Sequence, residues 1–316
     1  MMEYAFIVNP NAGGGKVRAR WPALLDAVHS RLGAVRVYMT GMPGEAVELT
    51  SRALHDGCTV IAAVGGDGTN NEVVNGFFDG GELINPDAGF APCTIGTGGD
   101  FIRTLGYERD PNAFIRYMAE GSTRMIDIGQ VSFHAHSGVT MRRYFLNITS
   151  FGIGGEVDER VNHSRKWLGG TGSFLAASLY SIAAFRGRDV RLRLDGGEPL
   201  AVRIFSVAVA NGRYFGGGML VAPGAELDDG LFDVVIIKQM HMVRILSAMP
   251  RVYGGSHVGM TGVTVRRAAV LEAESNQRVL IDMDGEQPGK LPARFTIVPR
   301  ALPLRVLAME SPIRRG

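Results

Sequence analysis

A glycine-rich junction between an apolar run and a helical pattern is the feature that most constrains this chain. Residues 58–64 are typical of a buried strand, residues 71–78 have a helical pattern, and Gly65, Gly66 and Gly68 lie between them. Glycines let the backbone approach a bulky anion, and the amino end of a helix supplies N–H groups and a partial positive charge. The junction therefore predicts a phosphate-binding loop.

An aspartate in this loop adds a second constraint. Because Asp67 would repel a bare phosphate, we interpret the loop as one that takes a Mg²⁺-nucleotide, with the cation between the negative groups. An ordinary strand-to-helix turn with Asp67 as a helix cap is the alternative that this loop alone leaves open.

Two more predicted strands end in glycine loops. An apolar run at 91–95 leads into Gly-Thr-Gly-Gly-Asp at 96–100, and a run at 4–8 leads into the 9–16 segment with its three consecutive glycines. If the three strands are parallel neighbours, their loops meet at the carboxyl edge of the sheet, where open α/β sheets bind ligands.

The composition is that of a globular protein with two domains. The chain has 316 residues, of which 46% are hydrophobic and 20% charged, and its net charge of +2 is too small to predict nucleic-acid binding. Cys58 and Cys93 lie in apolar runs, which predicts buried free thiols in a reducing compartment. No apolar run approaches the ~20 residues that span a bilayer, and the run at 4–8 is too short for a secretory signal, so we expect a cytoplasmic protein.

The first part of the chain, residues 1–125, alternates between strand and helix patterns. The predicted strands are 4–8, 34–39, 58–64 and 91–95, and the predicted helices are 18–32, 44–55, 71–78 and 111–120. This alternation predicts a parallel sheet with helices on both faces.

The remaining residues, 126–316, have a different pattern. The predicted strands, in which apolar residues alternate with period two, are 125–129, 190–194, 202–210, 232–237, 262–266, 279–283 and 293–298. Many short strands between glycine and aspartate turns predict an antiparallel β-sandwich. We expect only the 311–316 tail to be disordered.

One segment interrupts the strand pattern. Residues 173–185 predict a helix that is apolar nearly all round, and basic residues precede and follow it: Arg160, Arg165, Lys166, Arg186, Arg188, Arg191 and Arg193. Two interpretations stay open, a helix packed across the sheet and a helix that faces an anionic membrane surface or a lipid entrance.

Short motifs occur in a fixed order over nearly the whole chain. They are Asn9-Pro10 with Gly13, Gly65-Gly66-Asp67-Gly68-Thr69-x-Asn71-Glu72, Gly96-Thr97-x-x-Asp100-Phe101, Pro223-x-Ala225-x-Leu227-Asp228-Asp229-Gly230-Leu231 and Met283-Asp284-Gly285-Glu286. The set resembles the diacylglycerol kinase catalytic family, which includes bacterial diacylglycerol and YegS-like lipid kinases and has sphingosine and ceramide kinases as relatives. Gly99 is a departure, because the family usually has asparagine there.

The resemblance implies a fold and an activity. The fold would be an N-terminal Rossmann-like parallel α/β nucleotide-binding domain followed by an antiparallel β-sandwich, with the active site in the interdomain cleft and a last strand, about 303–309, that returns to the first domain. The activity would be ATP-dependent transfer of phosphate to a lipid hydroxyl, diacylglycerol being the default acceptor. The protein would then be peripheral at the inner face of the membrane, and a homodimer is implied by the family alone.

The expected site residues follow from the residues and the resemblance together. The expected nucleotide-binding residues are Asn9, Pro10, Asn11, Ala12, Gly13, Thr40, Gly65, Gly66, Asp67, Gly68, Thr69, Asn70, Asn71 and Thr97. Asp67, Asp100 and Asp127 are candidates for a Mg²⁺ network, although a structural role for Asp127 stays open. By resemblance, Asp229 with the carbonyls of Glu226 and Leu231 would hold a second, structural Mg²⁺.

The general base is expected at the end of the predicted strand 279–283. Asp284 and Glu286 flank Gly285, and either could take the hydroxyl proton, with Asp67 as the next catalytic candidate. Two other functions stay open. One is an NAD kinase, which shares the glycine-glycine-aspartate-glycine loop, and the other is a nucleotide- or lipid-binding protein without catalysis, which Gly99 motivates.

Overall fold

The computed structural model of the protein describes residues 2–95, 99–107, 110–157, 184–283 and 286–306, with Pro111 and Glu286 described by their backbone alone. The predicted helix 173–185, except for its last two residues, and the 311–316 tail lie outside these ranges.

The helices follow the predicted order in the first part of the chain. The helices with both ends in the described ranges are α1 (Ala12–Leu32), α2 (Glu45–His55), α3 (Asp67–Asn75), α4 (Asp100–Leu105), α5 (Pro111–Glu120) and α6 (Met242–Tyr253), with a 3₁₀ turn at Ser256–Gly259. The start of α5 agrees with the prediction because the Asp110 carboxylate accepts the Ala113 N–H (3.0 Å) and Pro111 fixes the first helical turn. The predicted bounds of the helix 71–78 were wrong, because α3 begins at Asp67 and ends at Asn75, and α6 was not among the predicted helices.

Eighteen strands lie in the described ranges. They are β1 (Tyr4–Val8), β2 (Arg36–Met39), β3 (Val60–Gly65), β4 (Phe78–Asp79), β5 (Glu82–Leu83), β6 (Gly89–Thr94), β7 (Ser122–Ala135), β8 (Thr140–Phe145), β9 (Ile148–Gly152), β10 (Arg188–Leu194), β11 (Leu200–Ala210), β12 (Tyr214–Phe215), β13 (Met219–Leu220), β14 (Phe232–Lys238), β15 (Val263–Ala268), β16 (Val270–Glu274), β17 (Leu280–Met283) and β18 (Glu286–Val306).

The first part is the expected parallel sheet. Its strands pair in the order β2-β1-β3-β6, all parallel, and alternate residues of β1 and β3 point to opposite faces. Ala5, Ile7, Ile61 and Ala63 pack with buried residues of α2 and α3, whereas Phe6, Val8, Ala62 and Val64 pack with those of α1 and α5. Cys58 and Cys93 are buried and free, and burial raises the pKa of the Cys93 thiol to about 12.

The second part is antiparallel. β9, β11, β10, β16, β18 and β17 pair in sequence, and β17 pairs with β9, so the six strands close a ring. Its largest fully buried side chains include Phe133, Phe145, Phe151, Phe232 and Phe295, which belong to one core cluster. Aliphatic and aromatic residues at alternate positions of these strands form this core.

Two long strands join the parts. β7 and β18 pair in antiparallel fashion from Gly289↔Ala135 to Val306↔Ser122, and Leu304 of β18 also pairs in parallel with Phe90 of β6. The buried Arg305 donates from Nη2 to the Met118 carbonyl (3.1 Å), which ties the end of β18 to α5. No helix in the described ranges is long and apolar enough to cross a membrane.

Candidate active site

The loops after β1 and β3 are hydrogen-bonded to each other at the carboxyl edge of the parallel sheet. Asn9 donates from Nδ2 to Thr69 Oγ1 (3.1 Å) and from its backbone N–H to the Val64 carbonyl (2.9 Å). Asn9 Oδ1 also accepts the Asn11 N–H (3.1 Å), which fixes the turn of the first loop. The first and second glycine loops therefore lie side by side, as parallel strands require.

Glycine is needed at these loops for two different reasons. Gly13, Gly14 and Gly15 have φ angles of 62°, 70° and 86°, which other residues rarely adopt, so the regular turns of α1 begin after them. At Gly65 the reason is space, because an added Cβ would lie 2.3 Å from Thr69 Oγ1.

The Asp67 carboxylate is bound by the amino end of α4. One oxygen accepts the N–H groups of Gly99 (2.7 Å) and Asp100 (3.0 Å), and the other accepts that of Phe101 (3.3 Å). These bonds and the helix dipole stabilise a negative charge without a cation. Asp67 thus joins the start of α3 to the loop after β6, and its predicted place beside a Mg²⁺ ion stays a prediction.

Asp100 is buried and faces the second part of the chain. Its side chain is held by the Arg103 guanidinium (2.6 Å) and by the Gly217 N–H (2.7 Å) in the turn between β12 and β13. Burial raises the pKa of Asp100, the Gly217 bond opposes that rise, and the nearby Asp67 carboxylate adds to it.

Asp127 does not join these two aspartates. It is fully buried, and its oxygens accept the N–H groups of Arg300 (2.7 Å) and Gly230 (2.6 Å). Within the described ranges no three acidic, His or Cys side chains are grouped as metal ligands, so the expected cluster of Asp67, Asp100 and Asp127 is not formed. Asp127 instead connects β7 to the turn at Gly230 and to the irregular stretch of β18 that contains Arg300.

The Arg267 guanidinium lies beside Asp229, one of the residues expected to hold a structural Mg²⁺. Asp229 accepts the Leu231 N–H (3.0 Å) and forms an ion pair with the Arg267 guanidinium, which also lies 3.4 Å from the buried Asp233 carboxylate. Burial raises the pKa of the Asp233 carboxyl, and the nearby Glu226 carboxylate raises it further. Arg267 therefore supplies a positive charge beside Asp229, and the structural Mg²⁺ site of Asp229 with the carbonyls of Glu226 and Leu231 stays a prediction.

We expect Arg267→Gln to destabilise this loop and to make it responsive to divalent cations. The variant leaves Asp229 and Asp233 unpaired, which should cost about 1 kcal/mol because Arg267 is half exposed. Thermal unfolding with and without Mg²⁺ measures both effects, with Arg116→Gln on the exposed face of α5 as the control. Equal stabilisation of the unsubstituted protein and the variant by Mg²⁺ would show that a metal binds beside Arg267.

The other predicted residues lie around the same edge or outside the described ranges. Thr40 is buried with its N–H on the Val8 carbonyl (2.9 Å), and Pro10 and Ala12 border the first loop. Asn70 is 1% exposed, and neither polar atom of its side chain has a hydrogen-bond partner among the described residues, an arrangement that is uncommon in protein interiors. Gly66 and Gly68 have open space around them. Thr97, Asp284 and the Glu286 side chain are not among the described atoms.

A cleft of about 830 Å³ opens between α3 and β8. Its lining residues from the first part are Pro43, Gly44, Val47, Gly68, Asn71, Glu72, Asn75, Phe78, Gly80 and Gly81, and those from the second part are Ser132, Thr140, Met141, Arg142, Arg143, Tyr144 and Met283. Met283, the last described residue before the two predicted base residues, lies in the wall of this cleft.

Most of the lining residues were not predicted as site residues, and three of these are Asn75, Arg142 and Arg143. The Asn75 side chain forms two hydrogen bonds with the backbone of Tyr144, each 2.9 Å, and so fastens α3 to β8. Arg142 and Arg143 lie on β8, and they place positive charge on the wall opposite α3. Two consecutive arginines before an aromatic pair were a visible signal, but the 140–145 segment was not identified as a strand.

Sequence comparison covers both parts of the chain. A profile of the diacylglycerol kinase catalytic domain matches residues 3–131, and a profile of the YegS C-terminal NAD kinase beta sandwich-like domain matches residues 147–307. The chain belongs to the diacylglycerol kinase catalytic family. It is therefore a kinase of a lipid kinase family, and such kinases use a nucleotide.

Individual relatives agree with this family. A diacylglycerol kinase of Mycobacterium tuberculosis is 27% identical over 298 residues, which are 94% of this chain and 92% of the relative. A crystal structure of a diacylglycerol kinase from Bacillus anthracis has a TM-score of 0.67 and 19% identity, and the match covers 97% of each chain.

The fold extends beyond lipid kinases. The structure of a yeast NADH kinase complexed with NADH has a TM-score of 0.51 and 10% identity, and covers 96% of this chain and 82% of the yeast chain. At that identity only the fold is shared, so an NAD kinase activity is the weaker alternative for this member of the family.

Proposed function

We propose that this kinase transfers the γ-phosphate of Mg·ATP to a lipid hydroxyl, with diacylglycerol as the acceptor. The observation that carries the proposal is the cleft between α3 and β8. Gly68 and Asn71 in the first turns of α3 line one wall, where the amino end of the helix suits a polyphosphate, and Arg142 and Arg143 lie on the other. The family match and the diacylglycerol kinase relatives support the choice of acceptor.

The proposed roles follow from the position of each residue. Gly65, Gly66 and Gly68 with Asn9 would hold the phosphates, and Asp67 would fix the amino end of α4 beside them. Mg²⁺ would enter with the nucleotide as part of the substrate, since this ion usually binds proteins through few carboxylates and substrate phosphates. Asp284 or Glu286 would take the acceptor proton, because the strand that precedes them ends at the cleft.

The position of Arg142 in the cleft wall leads to a prediction about substrate binding. We expect Arg142→Gln to raise the KM for Mg·ATP, or for the lipid, by about tenfold with a smaller change in kcat, since a charge-assisted hydrogen bond is lost. Steady-state kinetics with each substrate varied in turn will show which one Arg142 contacts. The control is Arg116→Gln, an exposed arginine of α5. Unchanged constants for both substrates would remove Arg142 from the binding site.

One assay tests the proposed function directly. Pure protein is incubated with ATP labelled in the γ-phosphate and, separately, with diacylglycerol, other lipid alcohols, NAD or no acceptor. Label in phosphatidic acid supports the proposal, and label in NADP supports the NAD kinase alternative. Nucleotide binding without label in any acceptor would favour a protein without catalysis.

The same assay can test whether Gly99, where the family usually has asparagine, affects turnover. It has a left-handed backbone (φ 98°, ψ 45°), and its N–H donates to Asp67. Asparagine is among the few residues that tolerate such a conformation, so Gly99→Asn restores the usual family residue at modest cost. An increase in turnover in this variant would mean that Gly99 weakens catalysis.

We further propose peripheral contact with the inner face of the membrane. Diacylglycerol resides in the bilayer, so the protein has to meet its acceptor at the lipid surface. A homodimer remains a proposal that rests on the family alone.

A further inference from the structure

Helix α6 has an apolar stripe on its exposed side. Ile245 and Ala248 are buried, whereas Val243, Leu246 and Tyr253 are exposed by 80%, 39% and 55% of their surface. At about 100° per residue, positions 243, 246 and 253, with the exposed Pro250 between them, lie on one side of the helix. A stripe of large apolar side chains in water is unfavourable unless a partner covers it.

The chain around this stripe is basic and carries no acidic residue. From residue 234 to residue 271 there is no Asp or Glu, while the basic residues are Lys238, Arg244, Arg251, Arg266 and Arg267. Arg244 and Arg251 lie on α6 itself, are exposed and follow the stripe along one flank. Among the described residues, no carboxylate is within ion-pair distance of either arginine.

The opposite face of α6 is anchored to the rest of the fold. Ile245 shares a core cluster with Phe185 and Phe205, and the turn after the helix packs Gly255 against Leu220 of β13. The β12–β13 turn in turn donates the Gly217 N–H to Asp100. Helix α6 is therefore packed against the fold, and the β12–β13 hairpin connects it to Asp100 in the candidate active site.

We propose that α6 is a membrane-docking helix that inserts Val243, Leu246 and Tyr253 among the headgroups of an anionic lipid surface. Helices that lie in a membrane interface combine an apolar face with arginines or lysines beside it, as this one does. The absence of acidic residues from 234 to 271 matches the negative charge of such a surface. This proposal rests on the proposed lipid kinase function, since it supplies the surface where the acceptor is found.

A second copy of the chain is a poorer partner for this face. In a twofold symmetric dimer the same patch meets itself, so the arginines of one copy would approach those of the other. Like charges without carboxylates between them are unfavourable at an interface. An anionic bilayer satisfies the apolar stripe and both arginines at once.

Vesicle cosedimentation of the full chain tests the proposal, without ATP or acceptor lipid present. The vesicles are phosphatidylcholine alone or an equimolar mixture with phosphatidylglycerol. Leu246→Ser is compared with Leu200→Ser, because Leu200 is an equally exposed leucine (42%) at the start of β11. Arg244→Gln/Arg251→Gln is compared with Arg20→Gln/Arg116→Gln, which removes two exposed arginines from α1 and α5. Thermal unfolding verifies that all four variants are folded.

We expect the unsubstituted protein to bind the anionic vesicles more tightly than the neutral ones. Leu246→Ser should weaken that binding about tenfold, since several buried CH₂ equivalents are lost. The double arginine variant should weaken it by at least about tenfold, and added salt should remove most of this difference. Both control variants should bind like the unsubstituted protein.

Three results would overturn the proposal. The first is equal binding by the α6 variants and their controls, and the second is equal binding to neutral and anionic vesicles. The third is a dimer in light scattering that Leu246→Ser converts to monomers, which would make the stripe a self-interface. The vesicle experiment measures binding and not phosphate transfer. A negative kinase assay therefore does not affect its result, and a negative vesicle experiment does not affect the result of the kinase assay.

Discussion

Asp67→Asn is expected to lower kcat/KM for phosphate transfer by about a hundredfold or more, the size of effect seen when one preorganised electrostatic contact of an active site is removed. The carboxylate accepts three N–H groups at the amino end of α4, and the amide can accept with only one atom and carries no charge. The loop after β6 would then lose its fixed position beside the glycine loops. Turnover is measured with labelled ATP.

The Mg²⁺ dependence of the Asp67→Asn variant separates two explanations. If Asp67 acts by positioning the loop, kcat falls while the Mg²⁺ concentration for half-maximal activity stays the same. If Asp67 holds the metal of Mg·ATP, that concentration rises. Asp87→Asn, an exposed acid in the turn before β6, serves as the control. Normal turnover in Asp67→Asn would contradict both explanations.

The elements that could be predicted from the sequence are those whose signals are local. The strand 4–8 has the predicted bounds because five consecutive apolar residues fill both faces of a covered parallel strand. The helix 111–120 has its cap and its proline in the sequence itself. Helix α6 lacks such signals: His241 provides no side-chain cap, and Pro250 lies within the helix. Its stability comes from packing, which a single sequence does not reveal.

The sequence predicted which loops contain the candidate site residues, but not the contacts between those loops. The sequence places Asp67 and Asp100 in equivalent loops, and the two carboxylates do lie close enough to affect each other. It does not reveal that the amides of 99–101 bind Asp67, because that contact depends on how two strand ends are spaced in the sheet. The same holds for Arg142, which reaches the cleft only through the pairing of β7 with β8.

Asp127→Ala is expected to destabilise the protein by about 3 kcal/mol, because it leaves two backbone N–H groups at a buried position without their charged acceptor. The Asp127 oxygens accept from Arg300 and Gly230, and its backbone N–H donates to Leu227 (2.6 Å). Arg300 has a positive φ of 48°, which is unfavourable for arginine, so this irregular stretch of β18 needs the hydrogen bond to Asp127. Denaturant unfolding measures the loss, and Asp127→Asn should lose less because one acceptor oxygen remains.

The same variants decide whether Asp127 is structural or a metal ligand. A structural residue lowers the free energy of unfolding, while turnover per folded molecule and the Mg²⁺ requirement stay near normal at low temperature. A ligand would show the opposite pattern, with stability kept and Mg²⁺ activation weakened. Asp87→Ala, which removes an exposed carboxylate that accepts no N–H group from the described residues, measures the background effect. We expect the structural pattern, because the N–H groups of Arg300 and Gly230 each bind one of the two carboxylate oxygens at a position that solvent does not reach.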